Sequence, residues 1–137
     1  MLIHASCAAR SGHGVLLLGV PGVGKSDLLL RLLDDGFALV ADDQVELEGR
    51  VARAPEALAG LLEIRGLGIV RLPFERSAVL ALVIQLERGE RLPSPQRHGL
   101  DLPLVTIDPA LCSAAARVRL ALDCTLGRVA QVAGAFA

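Results

Sequence analysis

One eight-residue segment constrains this chain more than any other. Gly19-Val20-Pro21-Gly22-Val23-Gly24-Lys25-Ser26 has the spacing G-x-x-x-x-G-K-[ST]. An apolar run, Val15–Leu18, precedes it, and Lys25–Asp35 follows with Leu28, Leu29, Leu32 and Leu33 at helical spacing. The order strand, glycine-rich turn, helix is what a phosphate cradle requires. The glycines allow backbone N–H groups to converge on phosphate oxygens, and the helix N-terminus adds the positive end of its dipole. Lys25 is then placed to reach the β- and γ-phosphates of a nucleotide, and the Ser26 hydroxyl to meet Mg²⁺. Gly36 stands where the helix should end.

The charge inventory singles out the same place. Of 14 Lys and Arg residues, only Lys25 is lysine. A lone lysine among arginines marks a position that needs a compact charge on a flexible stem rather than a planar fork. The net charge of −1 and an aromatic content of 2%, with no Trp or Tyr, argue against a basic nucleic-acid surface and against base-stacking platforms. At 137 residues and 53% hydrophobic, the chain is expected to form one domain, 1–137, with a substantial core. No apolar run approaches the ~18 residues needed to span a membrane, and the start Met1-Leu2-Ile3-His4 has no cationic stretch typical of a secretory signal. Cys7, Cys112 and Cys124 are odd in number and lack a CxxC spacing. They are expected to be small buried apolar groups in a reducing cytoplasm.

The remaining pattern predicts strands over Leu2–Ala8, Ala38–Ala41, Val79–Leu86 and Leu104–Ile107, and a hairpin of Val45–Leu47 and Val51–Ala54 around Glu48-Gly49. Arg10–Gly14 reads as a turn, and Pro55 is expected to open a short helix toward Leu62. Glu63–Gly68 reads as a glycine-marked loop or strand start, and Arg88–Leu100 as a polar, Pro-containing surface loop. Asp108 is expected to cap a final helix that starts at Pro109 and runs to about Leu126. The fold class that follows is α/β: a P-loop-containing mixed β-sheet sandwich with flanking helices.

Two acidic sites stand out. Asp42 and Asp43 end a predicted strand, at the edge where ligands bind in open α/β sheets. Adjacent strand residues point to opposite faces, so one is expected to face the phosphates and the other to face away or cap a turn. Glu63 sits with Arg65 in an apolar run, as a metal ligand or as half of a surface ion pair.

Taken together, the P-loop, Leu39-Val40-Ala41-Asp42-Asp43 and Leu62-Glu63-Ile64-Arg65-Gly66-Leu67-Gly68-Ile69 resemble the C-terminal catalytic domain of bacterial HPr kinase/phosphorylase, in that family's order and at similar intervals. The last segment resembles the family signature, and His4 matches the family's histidine near the start of the domain. The resemblance is clear from about Leu2 to Glu87 and looser beyond. It implies an HPr kinase C-terminal-domain-like fold and ATP- and Mg²⁺-dependent phosphorylation of a serine on HPr, the phosphocarrier of a phosphotransferase system. By this resemblance Asp42 is the general base, Ser26 and Glu63 are the Mg²⁺ ligands, and Lys25 and His4 lie near the transferred phosphate. The mobile arginine of a later loop is most nearly matched by Arg91. The family also allows a homo-oligomer.

The chain departs from the family in three places. It is expected to lack a counterpart of the N-terminal domain of the long members and so to resemble the short, α-proteobacterial type. Val70–Arg76 is shorter than the family's acceptor-side loop and lacks its glycines. After Ile107, Asp108-Pro109-Ala110-Leu111 replaces the Pro-Gly-Arg-Asn-type stretch tied to dephosphorylation, which leaves the phosphorylase reaction open. Two competing readings remain at this level: a P-loop kinase of a small-molecule acceptor, and a non-catalytic nucleotide-binding sensor.

Overall fold

The computed structural model describes residues 1–87 and 95–136. Along the chain, β1 (Leu2–His4), β2 (Ser6–Arg10) and β3 (His13–Leu18) come first, and the glycine-rich turn then leads into α1 (Lys25–Asp34). Next are β4 (Ala38–Ala41), β5 (Gln44–Glu48), β6 (Val51–Arg53) and a 3₁₀ turn over Glu56–Leu58. The hairpin β7 (Leu61–Ile64) and β8 (Gly68–Arg71) precedes β9 (Ala78–Leu86), β10 (Gln96–His98), β11 (Leu102–Ile107) and α2 (Ala114–Thr125).

Nine strands form one mixed sheet in the order β1-β5-β6-β9-β3-β2-β4, with β11 beside β9 and β10 on β11. β7 and β8 pair separately. β9 is the hub, as its apolar, β-branched sequence predicts. Its first residues pair with β6 and its last with β11, and β3 runs parallel to it along most of its length.

Apolar residues fill both faces of the sheet. On one, Val15, Leu17, Leu82, Ile84 and Leu86 pack against Leu28, Leu29 and Leu32 of α1 and Val118 and Leu122 of α2. On the other, Cys7, Leu16, Val45, Leu47, Leu80, Val83 and Leu102 make a second core from strands alone. β2 meets β5 and β4 meets β6 across this second core although neither pair is hydrogen-bonded, so the sheet closes over on itself. The expected sandwich is therefore helices on one side and folded sheet on the other.

Several local expectations are met in modified form. The predicted strand Leu2–Ala8 breaks at Ala5, because β1 pairs with β5 while β2 pairs with β3 and β4. The Arg10–Gly14 turn narrows to Ser11 and Gly12, both with positive φ (54° and 79°), as a tight two-residue hairpin needs. α1 ends as Gly36 suggested. Gly36 N–H donates to Leu33 O and Phe37 N–H to Leu32 O, the paired bonds of a Schellman closure.

The last helix starts at Ala114, not at Pro109. Asp108 caps only a local turn, accepting from Ala110 N–H at 2.9 Å. Arg31 of α1 holds the carbonyls of Pro109 (2.6 Å) and Leu111 (3.0 Å), which keeps 108–112 out of the helix. Arg119 of α2 pairs with Asp35 at 3.3 Å, a second polar tie between the helices. Part of the expected 88–100 loop is strand, since Gln96–His98 pairs with β11. Of the cysteines, Cys7 is buried as expected, whereas Cys124 is half-buried and Cys112 exposed. Burial pushes the Cys7 thiol up to about 12.

Candidate active site

β3 stops at Leu18, and the turn that follows depends on glycine at its start. A Cβ at Gly19 would stand 2.6 Å from Val23 Cγ1. Gly24, the N-cap of α1, takes φ +115°, which a side chain would disfavour. Lys25 is only 6% exposed. Its Nζ donates to Gly19 O at 2.7 Å and Val20 O at 3.2 Å, so the ammonium is folded back on carbonyls of its own loop. Burial holds its pKa below the ordinary lysine value, and the charges of Asp43 and Asp42 partly oppose that shift. An anion in the cradle would meet a cation already desolvated.

The two aspartates take different positions. Ser26 Oγ donates to Asp42 Oδ1 at 2.8 Å, and the same oxygen accepts from Ser6 Oγ at 2.9 Å. Asp42 is thus a half-buried carboxylate joined to the P-loop serine. Asp43 does not follow strand alternation. β4 has ended at Ala41, and Asp43 adopts φ +68°. That left-handed residue swings its side chain into the pocket, 3.2 Å from His4 Nδ1. Of the two neighbours, Asp43 lines the cleft and Asp42 does not, holding Ser26 and Ser6 instead; the pair divides between two directions as expected, but through the left-handed turn at Asp43 rather than by strand alternation.

The β7–β8 hairpin supplies the opposite wall. The cleft, about 810 Å³, is lined by Gly22, Gly24, Lys25 and Ser26 from the P-loop, by His4 and Asp43, and by Glu63 through Ile69. Glu63 and Arg65 form no ion pair with each other among the described residues, and both line the cleft. The structure thus brings together His4, Lys25, Ser26 and Glu63, with Asp42 bonded to Ser26. Arg91 lies outside the described residues. Ser6, Asp43 as His4's partner, and Arg65 are the members that sequence reasoning did not assign. Ser6 gave no signal beyond a hydroxyl inside an apolar strand.

Ser26, Asp42 and Glu63 are hard oxygen donors of the kind Mg²⁺ prefers. Among the described residues, no group of three His, Cys, Asp or Glu could hold an ion alone.

Comparison with known proteins decides the family. The HPr Serine kinase C-terminal domain profile matches residues 1–102. The chain belongs to that family. HPr kinase/phosphorylase 1 of Oceanobacillus iheyensis is 38% identical over 117 residues, covering 77% of this chain and 38% of that protein. The Bacillus pumilus HPr kinase/phosphorylase is 41% identical over 111 residues, covering 72% and 36%. The chain therefore spans about two-fifths of the length of the curated relatives it matches. The structure of the Hpr(Ser) kinase/phosphatase from Coxiella burnetii superposes with a TM-score of 0.76 at 26% identity, covering 93% of this chain and 92% of that one. The HPr kinase C-terminal fold expected from sequence is therefore the fold observed. Among the described residues no helix is long and apolar enough to cross a membrane.

Proposed function

We propose that this chain transfers the γ-phosphoryl group of ATP to a serine hydroxyl of an HPr-like phosphocarrier, with Mg²⁺, in a reducing cytoplasm. One arrangement supports this reading above the rest. A P-loop whose serine is joined to one aspartate shares a cleft with a second aspartate that is paired to a histidine. A phosphoryl transferase needs both kinds of carboxylate: one beside the P-loop serine for the metal, and one to accept the proton of the attacking hydroxyl.

The geometry favours a division of labour different from the residue-by-residue carry-over. Asp42, already bonded to two hydroxyls, suits the metal side with Ser26 and Glu63. Asp43 projects into the cleft with a free face toward an acceptor, and His4 Nδ1 steadies it. We therefore assign Asp43, rather than Asp42, as the group that takes the serine proton. Lys25 would leave the loop carbonyls for the phosphate oxygens. Mg²⁺, when bound, would supply charge neutralisation on the phosphates, held by Ser26, Asp42 and Glu63.

The test is incubation with γ-labelled ATP, Mg²⁺ and the HPr protein of the same cell. Label on a carrier serine is the expected result. ATP binding with no transfer at high enzyme would favour a nucleotide sensor. Label on metabolites alone would favour a small-molecule kinase.

A further inference from the structure

Ser6 lies on β2, away from every motif, and is wholly buried. Among the described residues, the buried polar or charged ones are Ser6 and Lys25, so its hydroxyl is a rare polar atom in a largely apolar interior. Such a group is costly to bury unless it is bonded, and Ser6 bonds in two directions. Its Oγ donates to Asp42 Oδ1 at 2.9 Å and accepts from the Asp43 backbone N–H at 3.3 Å. The neighbouring Ala5 N–H donates to Asp43 O at 3.2 Å.

These bonds hold the feature on which the whole site depends. Asp43 sits at φ +68°, a conformation a non-glycine residue keeps only when its surroundings fix it. One hydroxyl, 37 residues earlier, grips the amide of that residue and the side chain of the residue before it. The same Asp42 oxygen then receives Ser26 Oγ from α1. Ser6 therefore links three elements: β2, the turn after β4, and the P-loop helix.

We propose that Ser6 is a positioning residue that aims Asp42 at the metal side and keeps Asp43 turned into the cleft. Groups that orient a ligating carboxylate through a hydrogen bond are worth about tenfold or more in metal affinity. This inference rests on the phosphoryl-transfer reading above, but calorimetry tests it without any transfer. ATP binding is measured with and without Mg²⁺ for the full chain, Ser6→Ala and Ser6→Cys. The cysteine variant fills the site with a somewhat larger, weaker donor, and carries the same expectation should the alanine variant not fold.

The expected result is that the Mg²⁺ enhancement of ATP affinity falls about tenfold in Ser6→Ala. Metal-free ATP affinity should stay within about twofold, because the phosphate cradle and Lys25 are untouched. In the transfer assay, kcat should fall with KM for the carrier little changed. If both variants keep the wild-type Mg²⁺ enhancement, whatever their melting temperatures, Ser6 is a core residue only and the proposal is overturned. A wild-type chain that shows the Mg²⁺ effect and its loss in Ser6→Ala, yet labels no carrier, would overturn the function reading and leave Ser6's role standing. No Mg²⁺ enhancement in the wild type would overturn both.

Discussion

Asp42 and Asp43 are adjacent in the chain but bind different partners. Asp42 Oδ1 takes Ser26's hydroxyl at 2.8 Å, while the next residue, Asp43, turns away through a positive φ to meet His4 Nδ1 at 3.2 Å. The two adjacent aspartates thus have different partners, and the first prediction tests whether they have different roles. Asp43→Asn should bind ATP and Mg²⁺ normally and lose turnover by about 10²–10⁴-fold, the range for removal of a positioned base. Asp42→Asn should instead raise the Mg²⁺ concentration needed for half-maximal rate. Titrating Mg²⁺ against rate in both variants checks this, and the reverse pattern would return the base to Asp42.

Lys25 is the second test. Among the described residues its ammonium bonds the carbonyls of its own loop, Gly19 and Val20, and the cradle fits a slim stem. Lys25→Met should reduce ATP affinity at least tenfold. Lys25→Arg should not restore it, because a planar fork cannot take the place of a compact charge that is 6% exposed. Equilibrium binding of ATP to the three proteins decides the matter. An arginine variant with wild-type affinity would show that charge alone matters here.

A third prediction concerns Cys7, whose thiol is pushed from 9.0 up to about 12 by burial. The folded state holds this proton where the unfolded chain releases it. Its stabilising contribution is therefore complete below pH 9 and is lost as pH rises from there toward 12. Wild type should lose stability between pH 8 and pH 10 more steeply than Cys7→Ala, as read by urea unfolding at both values. In the native protein at pH 8, a thiol reagent should modify Cys112 quickly and leave Cys7 untouched. Equal slopes for the two proteins would contradict the assignment.

Arg31 carries the fourth. Its guanidinium satisfies the carbonyls of Pro109 and Leu111 and so fastens the segment before α2 to the P-loop helix. Arg31→Ala should cost about 1–3 kcal/mol in chemical denaturation, the range for charge-assisted bonds to groups then left unpaired. Arg31→Lys should recover only part of this, since one ammonium cannot match the fork's geometry. A loss below about 0.5 kcal/mol for the alanine variant would mark the contact as incidental.

How much of this was legible in the sequence follows from how local each cause is. The P-loop, α1 and its Gly36 ending depend on neighbours within a few residues, and they appear where glycine spacing and leucine periodicity put them. The central role of β9 was written in its β-branched run. The aim of Asp43 was not legible, because it is set by Ser6 from 37 residues away, and strand alternation could not say which of the two aspartates faces the cleft. The start of α2 was misread for a similar reason. Asp108-Pro109 is a sound local start signal, but Arg31, 78 residues earlier, takes the Pro109 carbonyl that the helix would have used. Glu63 lines the same cleft as the P-loop residues, and among the described residues it makes no ion pair with Arg65.

The most direct measurement of the central claim is intact-mass analysis of the HPr protein from the same cell after incubation with Mg²⁺ and ATP. Wild-type chain should add one phosphoryl group, located on a serine by fragmentation, and Asp43→Asn should add none in the same time while still binding ATP. A carrier left unmodified by the wild-type chain, with ATP and Mg²⁺ demonstrably bound, would contradict the account.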